Sequence, residues 1–228
     1  MPTRLLALPA TLLLALALAA CSDSGDDTAA DPAAEDAPQE SFTGETTQCS
    51  YTDTGSAARD VEQPPTEAQA EGEVPVTLST SVGDVSVTLD AAGAPCTVNS
   101  FVSLVEQGYY DDTQCHRLTT QGIFVLQCGD PTATGTGGPG YSFGDEVAED
   151  ASYGAGTLAM ANAGPDTNGS QFFIVYEDTQ LPPAYTVFGS VSGESLEVVQ
   201  EVAADGTESG APDGPPSTEV TIEAAAVG

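Results

Sequence analysis

The chain reads as a mainly β protein: a closed antiparallel barrel of roughly 150 residues whose ends are capped by helices. Three observations predict it. From Val74 onward, short apolar runs recur between turn clusters, as in Pro75 to Thr80, Asp84 to Asp90, Thr157 to Met160 and Phe172 to Tyr176. Two stretches, Ala94 to Gly108 and Gly193 to Ala203, carry apolar residues at helical spacing. Near the C-terminus, Val220 to Ile222 reads as a last strand that closes the domain.

Residues 1–20 hold one basic residue, Arg4, followed by an apolar run of Leu and Ala that ends at Leu18, Ala19, Ala20 and Cys21. The run is too short for a membrane span and is followed by acids, so it reads as a secretory signal. Small residues before a cysteine resemble the lipobox of bacterial lipoproteins, which makes Cys21 the expected lipidation site and new N-terminus. More than one acyl chain is needed for stable attachment, so a fully acylated Cys21 would hold the protein at the extracytoplasmic side of the cell membrane. Residues 21–73 are rich in Ala, Asp, Glu, Thr, Pro and Gly and read as an acidic, disordered tether. A flexible chain of ~45 residues reaches on the order of 35–40 Å. Within it, Cys49 and Tyr51 suggest one point pinned to the folded domain at 74–228.

The domain opens with a hairpin turning at Ser81, Val82 and Gly83. Ala94, Pro95, Cys96 and Thr97 start the first helix, with Val98, Phe101, Val102, Leu104 and Val105 on its apolar face and Gly108 as its stop. Strands follow around His116 and Phe124. The glycine-rich loop from Thr132 to Gly144 lacks the spacing and lysine of a phosphate loop. Leu196, Val198, Val199 and Val202 mark the second helix.

Charge and cysteine usage narrow the function. The formal net charge is −32, with 35 acidic residues. Without the signal, Arg59 and Arg117 are the only basic side chains, so nucleic acid is excluded as a natural partner. With Cys21 set aside, Cys49, Cys96, Cys115 and Cys128 are an even set in an oxidising compartment and allow three pairings. Should the strands around His116 and Gln127 pair as a hairpin, Cys115 and Cys128 come near each other, leaving Cys49 for Cys96. No CxxC occurs, and with a single His no metal site or cofactor is expected.

Everything is organised around Met160 to Ile174, MANAGPDTNGSQFFI. Two apolar runs flank dense turn chemistry whose amides, Asn162, Asn168 and Gln171, offer hydrogen bonds without a nucleophile or metal ligand. Ala161 to Ile174 resembles the signature of cyclophilins, the cyclosporin-binding peptidyl-prolyl cis-trans isomerases. His116, Arg117 and Leu118 with Gly122 to Asp130 resemble the family's strand pair bearing its essential arginine, and Tyr185 to Val191 resembles its VFG strand. The resemblance runs from about Val74 to Val202, with a last strand near Ser217 to Glu223, and implies an eight-stranded barrel with two helices.

It also implies a mechanism. Rotation about an X-Pro bond is slow because the amide has partial double-bond character, with a barrier of ~18–20 kcal/mol. No covalent step is needed, only a site that prefers the twisted amide. There the prolyl nitrogen regains a lone pair, and by the resemblance Arg117 donates to it as the catalytic residue. Phe124, Val125 and Phe173 would line the proline cup, Leu181 and Tyr185 would bound it, and Gln127, Ala161, Asn162 and Gln171 would hold the peptide and the arginine. His116 reads as structural, since no proton is transferred. Three departures stand out: two extra residues between Arg117 and Phe124, no tryptophan, with Leu181 in its place, and Val125 instead of a longer Met. These imply weak cyclosporin binding and a looser proline pocket.

The function expected is a monomeric, membrane-tethered isomerase acting on proline-containing segments of exported proteins. The alternative is a non-catalytic module that holds such segments in the same groove. A thiol-disulfide protein is disfavoured by the missing CxxC.

Overall fold

The computed structural model describes residues 44–228. The signal at 1–20, the lipidation site Cys21 and the tether up to residue 43 lie outside the described residues. Three short strands come first: β1 (Thr46–Gln48), β2 (Tyr51–Asp53) and β3 (Glu67–Gln69). The hairpin β4 (Glu73–Thr80) and β5 (Gly83–Asp90) leads to α1 (Pro95–Glu106). Next come β6 (Thr113–Gln114), β7 (Arg117–Thr119), β8 (Val125–Cys128), β9 (Tyr141–Phe143), β10 (Thr157–Met160), β11 (Phe172–Val175) and β12 (Val187–Val191). The chain finishes with α2 (Gly193–Ala204), β13 (Asp213–Gly214) and β14 (Thr221–Val227).

The closed eight-stranded barrel is not what forms. Ten strands make one open antiparallel sheet in the order β13-β7-β8-β11-β10-β12-β5-β4-β14-β6, strongly curled and capped by the two helices. Its physical cause lies at Cys115 and His116. This pair separates β6, which pairs with β14, from β7, which pairs with β8, so the curl is spanned by covalent chain where a closed barrel would have a ladder. β6 and β13 have two residues each, too short to carry the period from which strands are read in a sequence.

The sheet's inner face and α1 bury an aromatic centre. The Phe101 ring lies 5.0 Å from Tyr110, 5.3 Å from Phe172 and 5.2 Å from Phe188. All four are fully buried, and Tyr110 satisfies its hydroxyl by donating to the Ser170 carbonyl at 3.1 Å. Burial pushes that phenol well above its ordinary range. The start of α1 lacks a capping side chain of its own, as Ala94 holds the N-cap position and Pro95 follows. Glu146, fifty residues away, supplies the cap: its carboxylate accepts from Cys96 N at 3.0 Å, Thr97 N at 2.8 Å and Thr97 Oγ1 at 2.7 Å. A carboxylate there also complements the positive end of the helix dipole.

The expected tether is corrected from residue 44 onward. β1 pairs with β3, and β2 pairs with β9 of the main domain. A disulfide joins Cys49 to Cys96 at the head of α1, and a second joins Cys115 to Cys128. Arg59 Nη1 donates toward the carbonyls of Gly108, Tyr109 and Asp111 at 2.8, 3.0 and 2.6 Å. Composition missed this arm because its order comes from cross-links and backbone pairing to distant residues, with little apolar burial of its own. Among the described residues no helix is long and apolar enough to cross a membrane.

Replacing Glu146 by Ala leaves the first amides of α1 without their acceptor and is expected to cost about 1–2 kcal/mol. Urea unfolding under non-reducing conditions measures it, and an unchanged midpoint would show that solvent caps the helix equally well.

Candidate active site

Strand register builds the site. Ala159 faces Phe173, Phe173 faces Gln127, and Gln127 faces Arg117 across β10, β11, β8 and β7. Neighbouring strands lie ~4.8 Å apart, so these side chains form one row across the sheet. Val125 and Val175 make the adjacent row on the same face, while Leu126 and Cys128 join the inner core.

That outer face carries its own small apolar cluster. Val125, Tyr153, Ala159, Phe173 and Val175 are buried in it, and Ile123, Ala161, Leu181, Tyr185 and Val187 pack against them. The Tyr185 ring stands edge-on to Phe173, with centroids 5.6 Å apart, and Tyr153 and Tyr185 are 6.2 Å apart. Tyr153 donates its hydroxyl proton to the Tyr185 carbonyl at 2.9 Å and accepts from Tyr185 N at 3.1 Å, fixing the loop that presents the ring. Asn162 Nδ2 donates to the Ala184 carbonyl at 2.8 Å, tying the two rims of the cup together.

Phe124 is the exception among the residues expected here. It packs against the inner core, its ring 6.0 Å from Tyr176. Strand alternation explains this, since Val125 and Gln127 occupy the site face. Ile123, in a bridge with Gln121, joins the cup cluster instead. Ile123 lies two residues before Val125 and so shares its face by the same alternation.

The polar half of the site is a chain of hydrogen bonds. Asp213 accepts from Arg117 Nε at 2.8 Å and Nη2 at 2.7 Å, and Gln127 Oε1 accepts from Nη1 at 3.1 Å. Gln127 Nε2 donates to Gln171 Oε1 at 2.9 Å, and Gln171 Nε2 donates to the Gly137 carbonyl at 2.9 Å. A guanidinium carries five N–H donors, so one remains on each terminal nitrogen of Arg117. The bidentate bond to Asp213 raises the arginine further and holds the Asp213 carboxyl below the usual range. The pair therefore persists through the neutral range and is lost only in acid. Asp213 lies 96 residues from Arg117, and nothing near it in the sequence marks it.

Gly137 is held from both sides. The fully buried Asp130 accepts from Gly137 N at 3.0 Å and from Thr132 N and Oγ1, each at 2.7 Å. Burial raises its carboxyl, but these donors outweigh it and leave the group below its ordinary value. Both ring nitrogens of His116 are buried without a hydrogen-bond partner beneath the glycine-rich loop, close to Gly135. Among the described residues no group of three or more His, Cys, Asp or Glu could hold a metal ion.

Residues 75–227 match the family of cyclophilin type peptidyl-prolyl cis-trans isomerases/CLD, and the chain belongs to that family. A probable peptidyl-prolyl cis-trans isomerase B of Mycobacterium leprae is 55% identical over 148 residues, covering 59% of this chain and 50% of the relative. Its counterpart in Mycobacterium tuberculosis is 54% identical over 142 residues, covering 57% of this chain and 46% of the relative. The chain thus spans about half the length of these curated relatives. A crystal structure of a Cryptosporidium parvum cyclophilin type isomerase aligns with a TM-score of 0.61 at 32% identity, covering 69% of this chain and 98% of that one.

Desolvation lowers the His116 imidazole below its ordinary value of 6.5. The unfolded chain takes up a proton near that value while the folded chain resists, so stability falls as pH drops below about 6.5. His116→Gln is expected to flatten this part of the profile. Urea midpoints at several pH values from 5 to 7.5, for parent and variant, test it, and parallel profiles would overturn the assignment.

Proposed function

We propose that the protein is a peptidyl-prolyl cis-trans isomerase, held by a lipidated Cys21 at the extracytoplasmic face of the membrane and assisting the folding of exported proteins. The observation that carries the activity is the row of Phe173, Gln127 and Arg117, which sets a cation with free N–H donors beside an apolar cup. The cup seats the prolyl ring by excluding water. The twisted amide nitrogen then accepts from Arg117, a bond that the planar ground state cannot make, so the interaction favours the transition state alone. Asp213 and Gln127 fix the guanidinium beforehand, which removes the cost of ordering it during rotation. Family membership supports the same reading, as does a structure of the Cryptosporidium parvum protein in the presence of the dipeptide ala-pro, at 33% identity and a TM-score of 0.58. Two disulfides suit an oxidising compartment, and the apolar run before Cys21 supports export.

One observation favours a second reading, a binding module without turnover. Asp213 occupies one whole edge of the Arg117 fork, taking two of its five N–H donors. Isomerisation of a short X-Pro peptide by the full chain decides between them. The parent is expected to accelerate it, and Arg117→Ala to lose ~10²–10³ of that acceleration while still binding peptide. Peptide binding by an inactive parent would leave the binding module.

For the anchor, the parent is expected in the membrane fraction and Cys21→Ser in the soluble one. A parent already soluble after export would overturn the lipid attachment.

A further inference from the structure

A cavity of about 690 Å³ lies across the strand ends from the cup. Val125 and Val175 face each other at the last paired position of β8 and β11, and both belong to the cup. One residue further along each chain, Phe124 and Tyr176 turn to the other face and line the cavity, their ring centroids 6.0 Å apart. The segment from Tyr176 to Thr179 is the lip between the two. Backbone contacts fix it: Tyr176 N donates to the Phe124 carbonyl at 3.1 Å, and Phe124 N donates to Thr179 Oγ1 at 3.0 Å. Thr179 N donates in turn to the carbonyl of Tyr153, a cup residue, at 3.1 Å.

The lining joins an apolar surface to acceptors and negative charge. Phe124, Ala155, Ala203 and Ala204 supply the apolar part. Glu177 and Asp178, both exposed, are the only charged residues of the lining. Ala155 N donates to Asp178 Oδ1 at 2.9 Å and so orients that carboxylate. Gln200 Nε2 donates to the Tyr176 carbonyl at 2.9 Å, which leaves Gln200 Oε1 as an acceptor. Ala203 and Ala204 also end α2, where the helix dipole places the equivalent of about half a negative charge, and no basic side chain stands in that last turn. The two arginines of the described residues are engaged elsewhere, Arg59 with backbone carbonyls and Arg117 with Asp213. A cation that meets this charge has to come from outside the domain.

We propose that this cavity is an exosite for a Lys or Arg side chain of the client, about three residues from the proline, so that the protein selects basic segments. The proposal rests on the peptide-binding reading above and adds to it a choice of client. An extended segment advances ~3.3 Å per residue, so roughly three residues span the ~10 Å from the cup face over the lip to the other face. The aliphatic stem of the side chain lies along Phe124 and the alanines while its charge meets Glu177 and Asp178. An acidic side chain is repelled by the same two carboxylates.

The test uses the full chain and X-Pro peptides that carry Lys, Gln or Glu at each of the four positions on either side of the proline. The parent is expected to favour Lys over Gln at a position about three residues away, with Glu poorest there. Glu177→Gln with Asp178→Asn is expected to lower the Lys-to-Gln ratio of kcat/KM about fivefold and to leave the rate on the Gln peptide unchanged. Glu67→Gln with Glu73→Gln removes the same charge from exposed positions on β3 and β4 and is expected to leave the ratio as it is. An equal fall in both double variants would assign the preference to the overall charge and overturn the exosite. An active parent with no preference for Lys, or with one that survives Glu177→Gln and Asp178→Asn, overturns the exosite and leaves the isomerase intact. An inactive parent overturns the isomerase, and fluorescence anisotropy of the same peptides, dye-labelled, then decides the exosite. Tighter binding of the Lys peptide, lost only in the Glu177 and Asp178 variant, supports it, and equal binding of the Lys and Gln peptides overturns it.

Discussion

The register of β7 against β8, and of β8 against β11, is the constraint on which the site depends. Side chains alternate along a strand, so a slip of one residue would send Gln127 into the core and Leu126 outward. The aligned register instead places Phe173, Gln127 and Arg117 on one face at successive strand spacings. The inner face holds the register, because Leu126, Cys128, Phe172 and Ile174 are buried there with the aromatic centre. The Cys115 to Cys128 bridge ties the end of β8 to the link just before β7, close to the Arg117 and Gln127 pair. Core packing and site geometry are therefore one problem, solved on the two faces of the same strands.

The other disulfide does different work. Cys49 and Cys96 are 47 residues apart, and closing a loop of that length stabilises a fold by about 4 kcal/mol in the chain-entropy model. This helps explain how a polar arm stays ordered. Its short strands β1 to β3 bury little, but the bridge and the Arg59 contacts lower the entropic cost of holding it in place.

Much of this was legible in the sequence, and the rest fails for identifiable reasons. The β4 and β5 hairpin and both helices follow from local period and turn residues, and their observed limits differ little from those read. Arg117, Val125, Gln127, Ala161, Phe173, Leu181 and Tyr185 could be named by resemblance, and the structure brings them to one face. Phe124 fell on the other side because side chains alternate along the strand, which sends it with Leu126 to the inner core while Val125 and Gln127 face the site. Asp213, Glu146 and Tyr153 act through contacts that span 96, about 50 and 32 residues, and no window of local sequence contains both partners. The closure of the sheet was misread for a similar reason. It depends on where ladders stop, and two-residue strands leave no trace in hydropathy.

The charge balance gives the Arg117 and Asp213 pair its sense. In a chain with 35 acids, a half-exposed cation would tend to recruit whichever carboxylate came nearest, and its orientation would be arbitrary. Asp213 removes that freedom by taking two parallel bonds at fixed geometry, while Gln127 occupies a third donor. What remains is a nearly neutral unit with two N–H groups of defined direction. A twisted amide nitrogen is an uncharged acceptor, so it needs a directed donor more than a strong field. Arginine can be neutralised by its partner and still donate, whereas the compact ammonium of lysine has no planar edge to divide between partner and substrate.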